Sequence, residues 1–536
     1  MTTPVEARAA FQAWREGVNT DWYADDPHLQ SLTRHYGRDH LAASLAEFGR
    51  ICARQIDPLV RENNRDENLP RLRRWDGQGN RVESVDFHPS YHAIGRLAYA
   101  SGAMAAYAHE GREWETLSLV YLLAQNGEGG HTCPMACTAG LIQLLKADKA
   151  DHSLWLDRLT DPDYDTHFHG AQFLTEVQGG SDVGANAVVA TQAEGEWRLT
   201  GEKWFCSVID ADLFVVTARV DDQGGTRGLR AFAVPRRLPN GDPNGFAIRR
   251  LKYKLGTRSM ASAEVDFHGA RGTPIGDFRT TVDIVLNTSR LYNAICSCGI
   301  LQRAWREAQG YAEHRLAFGQ PILAFPTVAR ILARLRTEAY AARASTFFLA
   351  HLRDQPATDP HAFRMLVNLN KYWTSSTGTS AVRDAIEVLG GNGAIESFSV
   401  LPRLLRDAIV CEAWEGGHNV LCAQVLRDAQ RSKMHRRLFA LIRGLGGSTE
   451  RLDDAERQWD RLVTQPPEVA SIYIRDLVDD LRPVVQAAVL RAEVSSHSDP
   501  LIAIAAEHLL TLNARTWDPL ADPTLMERVN ALTSRR

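Results

Sequence analysis

Between residues 168 and 275 the sequence changes its period, and that change constrains the fold more than any other feature. Seven short runs have β character: Ala171–Thr175, Ala187–Thr191, Glu196–Thr200, Leu213–Ala218, Leu229–Val234, Phe246–Leu251 and Ala263–Phe267. Gly, Asp, Asn and Pro separate them, as in Val220–Gly225, so they read as strands joined by turns. Strands this short suit a small barrel or sandwich. On either side, apolar residues recur at helical spacing. Leu41–Ala53, Tyr91–Ala108 and Trp114–Ala124 read as helices before it, and a buried helix is expected to start near Thr132 with Pro134 in its first turn. After it, Val285–Leu316, Val328–Arg353, Pro360–Leu389 and Leu401–Arg436 suggest a bundle. Asn63–Asp86, polar and rich in turn residues, reads as a long exposed excursion. The expectation is an α+β chain with four parts: a helical domain over 1–165, a β-barrel over 166–275, a helical bundle over 276–440, and a helical extension over 441–536 that follows the break at Gly444–Ser448.

A chain of 536 residues exceeds one ordinary core. Its formal net charge of −4 gives no global basic excess of the kind that marks nucleic-acid binding. The N-terminus lacks the apolar core of a signal peptide, and no apolar run spans a bilayer, so the cytosol is the expected location. The eight Cys form no Cys-x-x-Cys pair and have no His partners at zinc spacing, so buried thiols and no metal are expected.

Two neighbouring stretches carry the chemistry. Phe173–Asp182 ends an apolar run at Thr175, then turns through Gln178-Gly179-Gly180 to Ser181. Paired Gly lets backbone approach a flat ligand and offers N–H donors, and the hydroxyls donate and accept. The same residues also read as an ordinary capped hairpin turn. The second stretch, Leu199–Ser207, contains Lys203-Trp204-Phe205-Cys206-Ser207. Further on stand Arg315-Leu-Ala-Phe318-Gly-Gln-Pro321, Glu387-Val388-Leu-Gly390-Gly391-Asn-Gly393 and Leu405–Gly417 with its Trp414-Glu415-Gly416. Each has a plain reading as a helix end or cap.

Together, and in this order, these stretches resemble the acyl-CoA dehydrogenase flavoproteins. The resemblance spans essentially the whole chain and is closest to the AidB branch of adaptive-response proteins related to isovaleryl-CoA dehydrogenase. Phe87–His92, Cys133-Pro-Met135 and Leu251–Ser262 also look like that branch. It implies the family's fold: an N-terminal helical domain, a middle β-barrel and a C-terminal four-helix bundle, here with an added extension. It implies FAD as cofactor and a homotetramer.

By resemblance, Phe173, Leu174, Thr175, Gly180 and Ser181 lie along the flavin, Trp204 and Phe205 flank its ring, and Ser207 contacts N5. Arg315 and Phe318 serve the pyrophosphate of a neighbouring subunit's FAD, a task suited to a guanidinium. Glu387, Val388, Gly390 and Gly391 contact the adenine half. Trp414, Gly417 and Asn419 complete the cofactor set, and Ser181 and Arg290 serve the substrate. Glu415 matches the family's catalytic base, which takes the α proton of an acyl thioester while flavin N5 takes the β hydride.

Several residues depart from the family pattern. Glu387 stands for Gln, Trp414 for Tyr, Gly417 for Thr, Asn419 for Gln and Asn287 for Asp. They leave open a flavoenzyme acting on a substrate other than a CoA thioester. The AidB branch also binds DNA. Residues 441–536 hold eleven Arg and no Lys against fifteen Asp or Glu, a net −4, which argues against that function. The one basic cluster, Arg427, Arg431, Lys433, Arg436 and Arg437, reads as a solvated helix face, a subunit contact or a phosphate-facing patch.

Overall fold

The computed structural model describes residues 3–446, 450–495, 498–514 and 522–534. The chain forms two compact units. One comprises Met1–Gln55, Glu113–Gly127 and Asn293–Arg536, and the other Ile56–Arg112 and Glu128–Tyr292.

The second of these units is built on strands. The stretch 63–86, expected as an exposed excursion, is largely exposed and contains a hairpin of β1 (Arg71–Trp75) and β2 (Arg81–Asp86). Its anchor is Glu83, buried and with φ of +45°. The Glu83 carboxylate accepts the Ile248 N–H at 2.8 Å, and its carbonyl accepts from Arg236 at 3.1 Å. A polar sequence thus docks through one inward carboxylate, which composition could not reveal. The seven expected strands follow as β3 (Gly170–Phe173), β4 (Val189–Ala193), β5 (Glu196–Ser207), β6 (Leu213–Arg219), β7 (Leu229–Pro235), β8 (Phe246–Leu251) and β9 (Ser262–Pro274). Pairing runs β6–β4–β5–β9–β7 and returns to β6, which closes a barrel. β3 adds parallel to β6, and β8 adds antiparallel to β9. Closure removes the exposed edges that an open sheet would leave. The buried helix starts at Gly129, capped by the Glu128 side chain, so Pro134 stands beyond its first turn.

The other unit is helical. It takes the Phe278–His314 helix from residue 293 onward, together with Pro326–Asp354, Pro360–Leu389, Leu401–Ala413, His418–Ser432 and Met434–Gly444. Asp359 caps Pro360–Leu389 through the His361 and Ala362 N–H groups. The expected Leu401–Arg436 span is three helices, because Glu415 and Lys433 adopt left-handed backbone. The basic cluster is therefore split between two helices. Arg436 pairs with Asp460 and Arg437 with Asp359. Of the break at Gly444–Ser448, residues 447 and 448 lie outside the described residues.

The extension helices Glu450–Leu462, Pro467–Ala492, Leu501–Leu512 and Leu525–Thr533 pack into this same core. Trp373 Nε1 donates to the Val478 carbonyl at 3.0 Å, and Arg336 donates to the Leu532 carbonyl at 2.9 Å. Buried Arg343 joins distant parts of the chain. Its Nη1 reaches Asp26 and Tyr121 at 2.6 Å and Gln302 at 2.9 Å, and its Nε reaches His28 at 3.1 Å. His28 Nε2 in turn lies 3.0 Å from Glu493 of the extension. Among the described residues no helix is long and apolar enough to cross a membrane.

Candidate functional site

On the barrel, the chain leaves β3 at Leu174 and turns tightly. Glu176 and Gly179 exchange backbone hydrogen bonds of 3.3 and 3.0 Å. A Cβ at Gly180 would lie 2.7 Å from Thr175 Oγ1, so only Gly lets the hydroxyl lie against the backbone here. The second motif is stitched to the first. The Trp204 N–H donates to the Thr175 carbonyl at 2.9 Å. Lys203, 1% exposed, spends its ammonium on the Leu174 carbonyl, Glu176 and the Thr217 hydroxyl, at 3.2, 2.7 and 3.1 Å. Burial pushes the Lys203 pKa down, and Glu176 opposes that shift. Glu176 also accepts the Ala187 N–H and the Gln178 amide, both at 2.6 Å. This buried pair sits inside the quoted motifs, yet charge alone gave no sign that it is inward.

β5 shifts register against β9 between Lys203 and Cys206. Such a bulge defeats the strict alternation of a strand and re-aims side chains. Trp204 and Phe205 accordingly share one cation: Lys252 Nζ lies 3.5 Å from the first ring and 4.7 Å from the second. Lys252 also pairs with Glu264 at 2.9 Å. Phe205 is 53% exposed. Ser207 Oγ lies 3.2 Å from Ser262 Oγ. Phe173 is in the barrel core, 4.7 Å from Phe214, so it offers a ligand only its backbone. Ser181 is exposed, and Arg290 is buried on the Phe278–His314 helix.

In the helical unit, Arg315 ends the long helix and Leu316–Ala317 pairs with Gln320–Pro321. The two-residue turn puts Phe318 and Gly319 at φ of +52° and +87°. Phe318 is 96% exposed, and the Arg315 guanidinium lies 5.6 Å from the Phe11 ring. Pro360–Leu389 ends at Gly390, whose φ is +61°. Glu387 and Gly391 are exposed and Val388 is buried. Gly393 packs so closely that a Cβ would lie 2.8 Å from the Ile386 carbonyl.

Glu415 lies between Leu401–Ala413 and His418–Ser432, half-buried, with φ of +57°. Left-handed backbone is costly for a non-glycine residue and needs outside support. Lys371, fully buried, gives that support by donating to the Glu412 and Gly416 carbonyls at 3.1 and 2.9 Å. Asn293 adds a bond to the Cys411 carbonyl at 3.0 Å. Sequence reasoning missed Lys371. Its signal is a lone Lys among the apolar residues of an otherwise buried helix. Trp414 Nε1 is buried and has no protein acceptor. Gly417 caps the next helix without a side chain, and Asn419 accepts from Arg475 at 3.3 Å.

Three family profiles match along the chain: the adaptive response protein AidB N-terminal domain over 14–166, the acyl-CoA dehydrogenase middle domain over 171–270, and the acyl-CoA dehydrogenase C-terminal domain over 278–430. The putative acyl-CoA dehydrogenase AidB of Escherichia coli (strain K12) is 33% identical over 435 residues, 76% of this chain and 78% of that protein. The chain belongs to the acyl-CoA dehydrogenase family. Acyl-CoA dehydrogenase family member 11 of Caenorhabditis elegans is 31% identical over 435 residues, 76% of this chain and 70% of that protein. Among solved structures, Caenorhabditis elegans ACDH-11 in complex with C11-CoA superposes with a TM-score of 0.84 at 27% identity, covering 96% of this chain and 94% of that one. The apo form of Bd2924 gives 0.80 at 26% identity, covering 87% and 96%. The fold is that of an acyl-CoA dehydrogenase, and the chain is an oxidoreductase of this family.

The family's flavin suits what each unit presents. The barrel offers half-buried Trp204 and exposed Phe205 beside the Thr175 and Ser207 hydroxyls, and the helical unit offers a buried indole N–H with no protein acceptor. A flat ring suits the first, and a group rich in acceptors suits the second. Gly180→Ala is expected to push the Thr175 hydroxyl aside and weaken FAD binding about 10-fold, read by titrating apoprotein with FAD, with Tm nearly unchanged. Unaltered FAD affinity would remove Thr175 from the cofactor set.

Proposed function

We propose that this protein is an FAD-dependent acyl-CoA dehydrogenase in which Glu415 removes the α proton of an acyl-CoA thioester. Bound FAD supplies the two-electron acceptor for the β hydride. The observation that carries the reading is the strained turn at Glu415: a carboxylate in left-handed backbone, fixed by a buried lysine, at the position of the family's base. Strain of this kind is held where a side chain must point one way. As the α C–H bond breaks, its proton goes to the Glu415 carboxylate. The electron pair of that bond forms the C=C bond as the β C–H pair departs as hydride. The product is the α,β-unsaturated thioester. Backbone N–H groups at the turn are the proposed donors to the thioester oxygen, where charge builds. Thr175 and Ser207 orient the flavin, and Trp204 and Phe205 keep water from its ring.

The C11-CoA complex of the nematode relative supports a fatty acyl-CoA as substrate class. The exposed Phe318 hairpin supports a homotetramer in which Arg315 and Phe318 serve a partner's cofactor. Three of the extension's arginines are paired with carboxylates of the protein rather than offered to a polyanion. Arg443 pairs with Asp453 and Glu456, Arg482 with Glu338, and Arg528 with Asp522.

The test is an anaerobic titration of the purified protein with saturated acyl-CoAs of increasing length. One or more chain lengths are expected to bleach the flavin absorbance to completion. A yellow protein that no acyl-CoA reduces would discard the reading.

A further inference from the structure

Helix Pro467–Ala492 lies beyond the matched family region, yet its Arg475 reaches the segment that carries Glu415 and its Asp479 reaches Tyr372 beside it. Arg475 donates from Nη1 to Asn419 Oδ1 at 3.3 Å and from Nε to the Tyr372 hydroxyl at 3.2 Å. One turn along, Asp479 accepts the Tyr372 hydroxyl proton at 2.7 Å. The Tyr372 ring lies 4.6 Å from that of His418, the first residue of the helix after the Glu415 turn. Next in the chain to Tyr372 stands Lys371, which holds the Glu412 and Gly416 carbonyls. The turn is thus gripped from both ends. The bundle holds its start through Lys371, and the extension holds its finish through Asn419 and, by way of Tyr372, His418.

Local structure supplies little of that second grip: His418 Nε2 lies 3.7 Å from the Glu412 carboxylate. Gly417 is the N-cap and has no side chain to bond the first helical N–H groups. Gly416, with φ of +99°, adds a second joint with little intrinsic stiffness. We propose that Arg475 is a positioning residue for Glu415, through which the C-terminal extension fixes the Glu415–Asn419 segment in its reactive geometry. This inference rests on the role proposed for Glu415. The extension is thereby part of the reductive machinery rather than an appended binding module. Arg475 is exposed, and exposed charged contacts add little to global stability. Its loss therefore shows in rate and leaves melting unchanged. A merely structural residue would do the opposite.

The test uses FAD-loaded full-length protein and a bleaching acyl-CoA. In Arg475→Ala the limiting rate constant of anaerobic flavin reduction is expected to fall about 10-fold, because small misplacements of a reacting group are costly. The half-saturating acyl-CoA concentration should hold within about twofold, with Tm and FAD content unchanged. Arg475→Lys should recover part of the loss, since an ammonium reaches one of the two acceptors but lacks the fork. Asn419→Ala, which removes one of the two Arg475 contacts, should lower the same rate constant, and the double variant should fall no further than Arg475→Ala. A wild-type rate in Arg475→Ala, or losses that multiply in the double variant, would overturn the proposal. If Arg475→Ala does not fold, a wild-type rate in Asn419→Ala overturns it equally. A dead Glu415→Gln beside a normal Arg475→Ala removes only this inference. A normal Glu415→Gln removes the reading beneath it.

Discussion

Glu415→Gln is expected to give a yellow, folded protein that no acyl-CoA bleaches. Gln matches Glu in shape, so the turn held by Lys371 and Asn293 stays intact. The amide takes no proton at working pH, and the α C–H of a thioester is too weak an acid to ionise unaided. Loss of a positioned base costs roughly 10²–10⁴-fold. Stopped-flow reduction under anaerobic conditions measures the rate, and the flavin spectrum with a melting curve verifies that the site is loaded. Glu415→Asp should retain partial activity, since its shorter arm carries the same chemistry. Bleaching at the wild-type rate in the Gln variant would take the base away from this residue.

Lys203→Met is expected to lower stability by about 3–5 kcal/mol, the cost of stranding a buried charge whose partner is removed. In a unit of this size that corresponds to a Tm lower by about 10 °C. The stranded group is Glu176, 2% exposed. The same ammonium holds the Leu174 carbonyl, so the turn that presents Thr175 and Gly180 loosens as well, and FAD affinity should fall with stability. Adding Glu176→Gln should recover part of the loss. The amide oxygen still accepts the Ala187 N–H, and the uncompensated charge is gone. Calorimetry and FAD titration of the single and double variants measure both effects. A single variant that melts with the wild type would show that the pair does not join the two motifs.

The two units were legible to different degrees. The strand pattern was readable because turn residues punctuate it, and all seven runs fall on strands, although β5 and β9 each run seven residues further than expected. The hairpin at 71–86 was not readable, because its docking rests on Glu83, whose side chain looks solvent-facing in sequence. Leu401–Arg436 read as one or two helices because periodicity records which face is apolar and says nothing of where φ turns positive. Glu415 and Lys433 carry no marker of their left-handed backbone. Phe173, read as a ligand contact, has its side chain in the barrel core, a placement that a strand-end aromatic does not announce in sequence.

Sequence alone determined the order of elements, the family, and the identity of the two motif stretches and the acidic residue after Trp414. Those depend on local period and on residue types a few positions apart, which a linear reading contains. Only the tertiary structure decided which charges are inward and what they hold. Lys203 with Glu176, Lys371 beneath the Glu415 turn, Lys252 over the Trp204 ring, and Arg475 from the far end of the chain each act across long sequence separations. A buried charge is tolerated only where partners from remote segments meet it, and no local rule encodes that meeting.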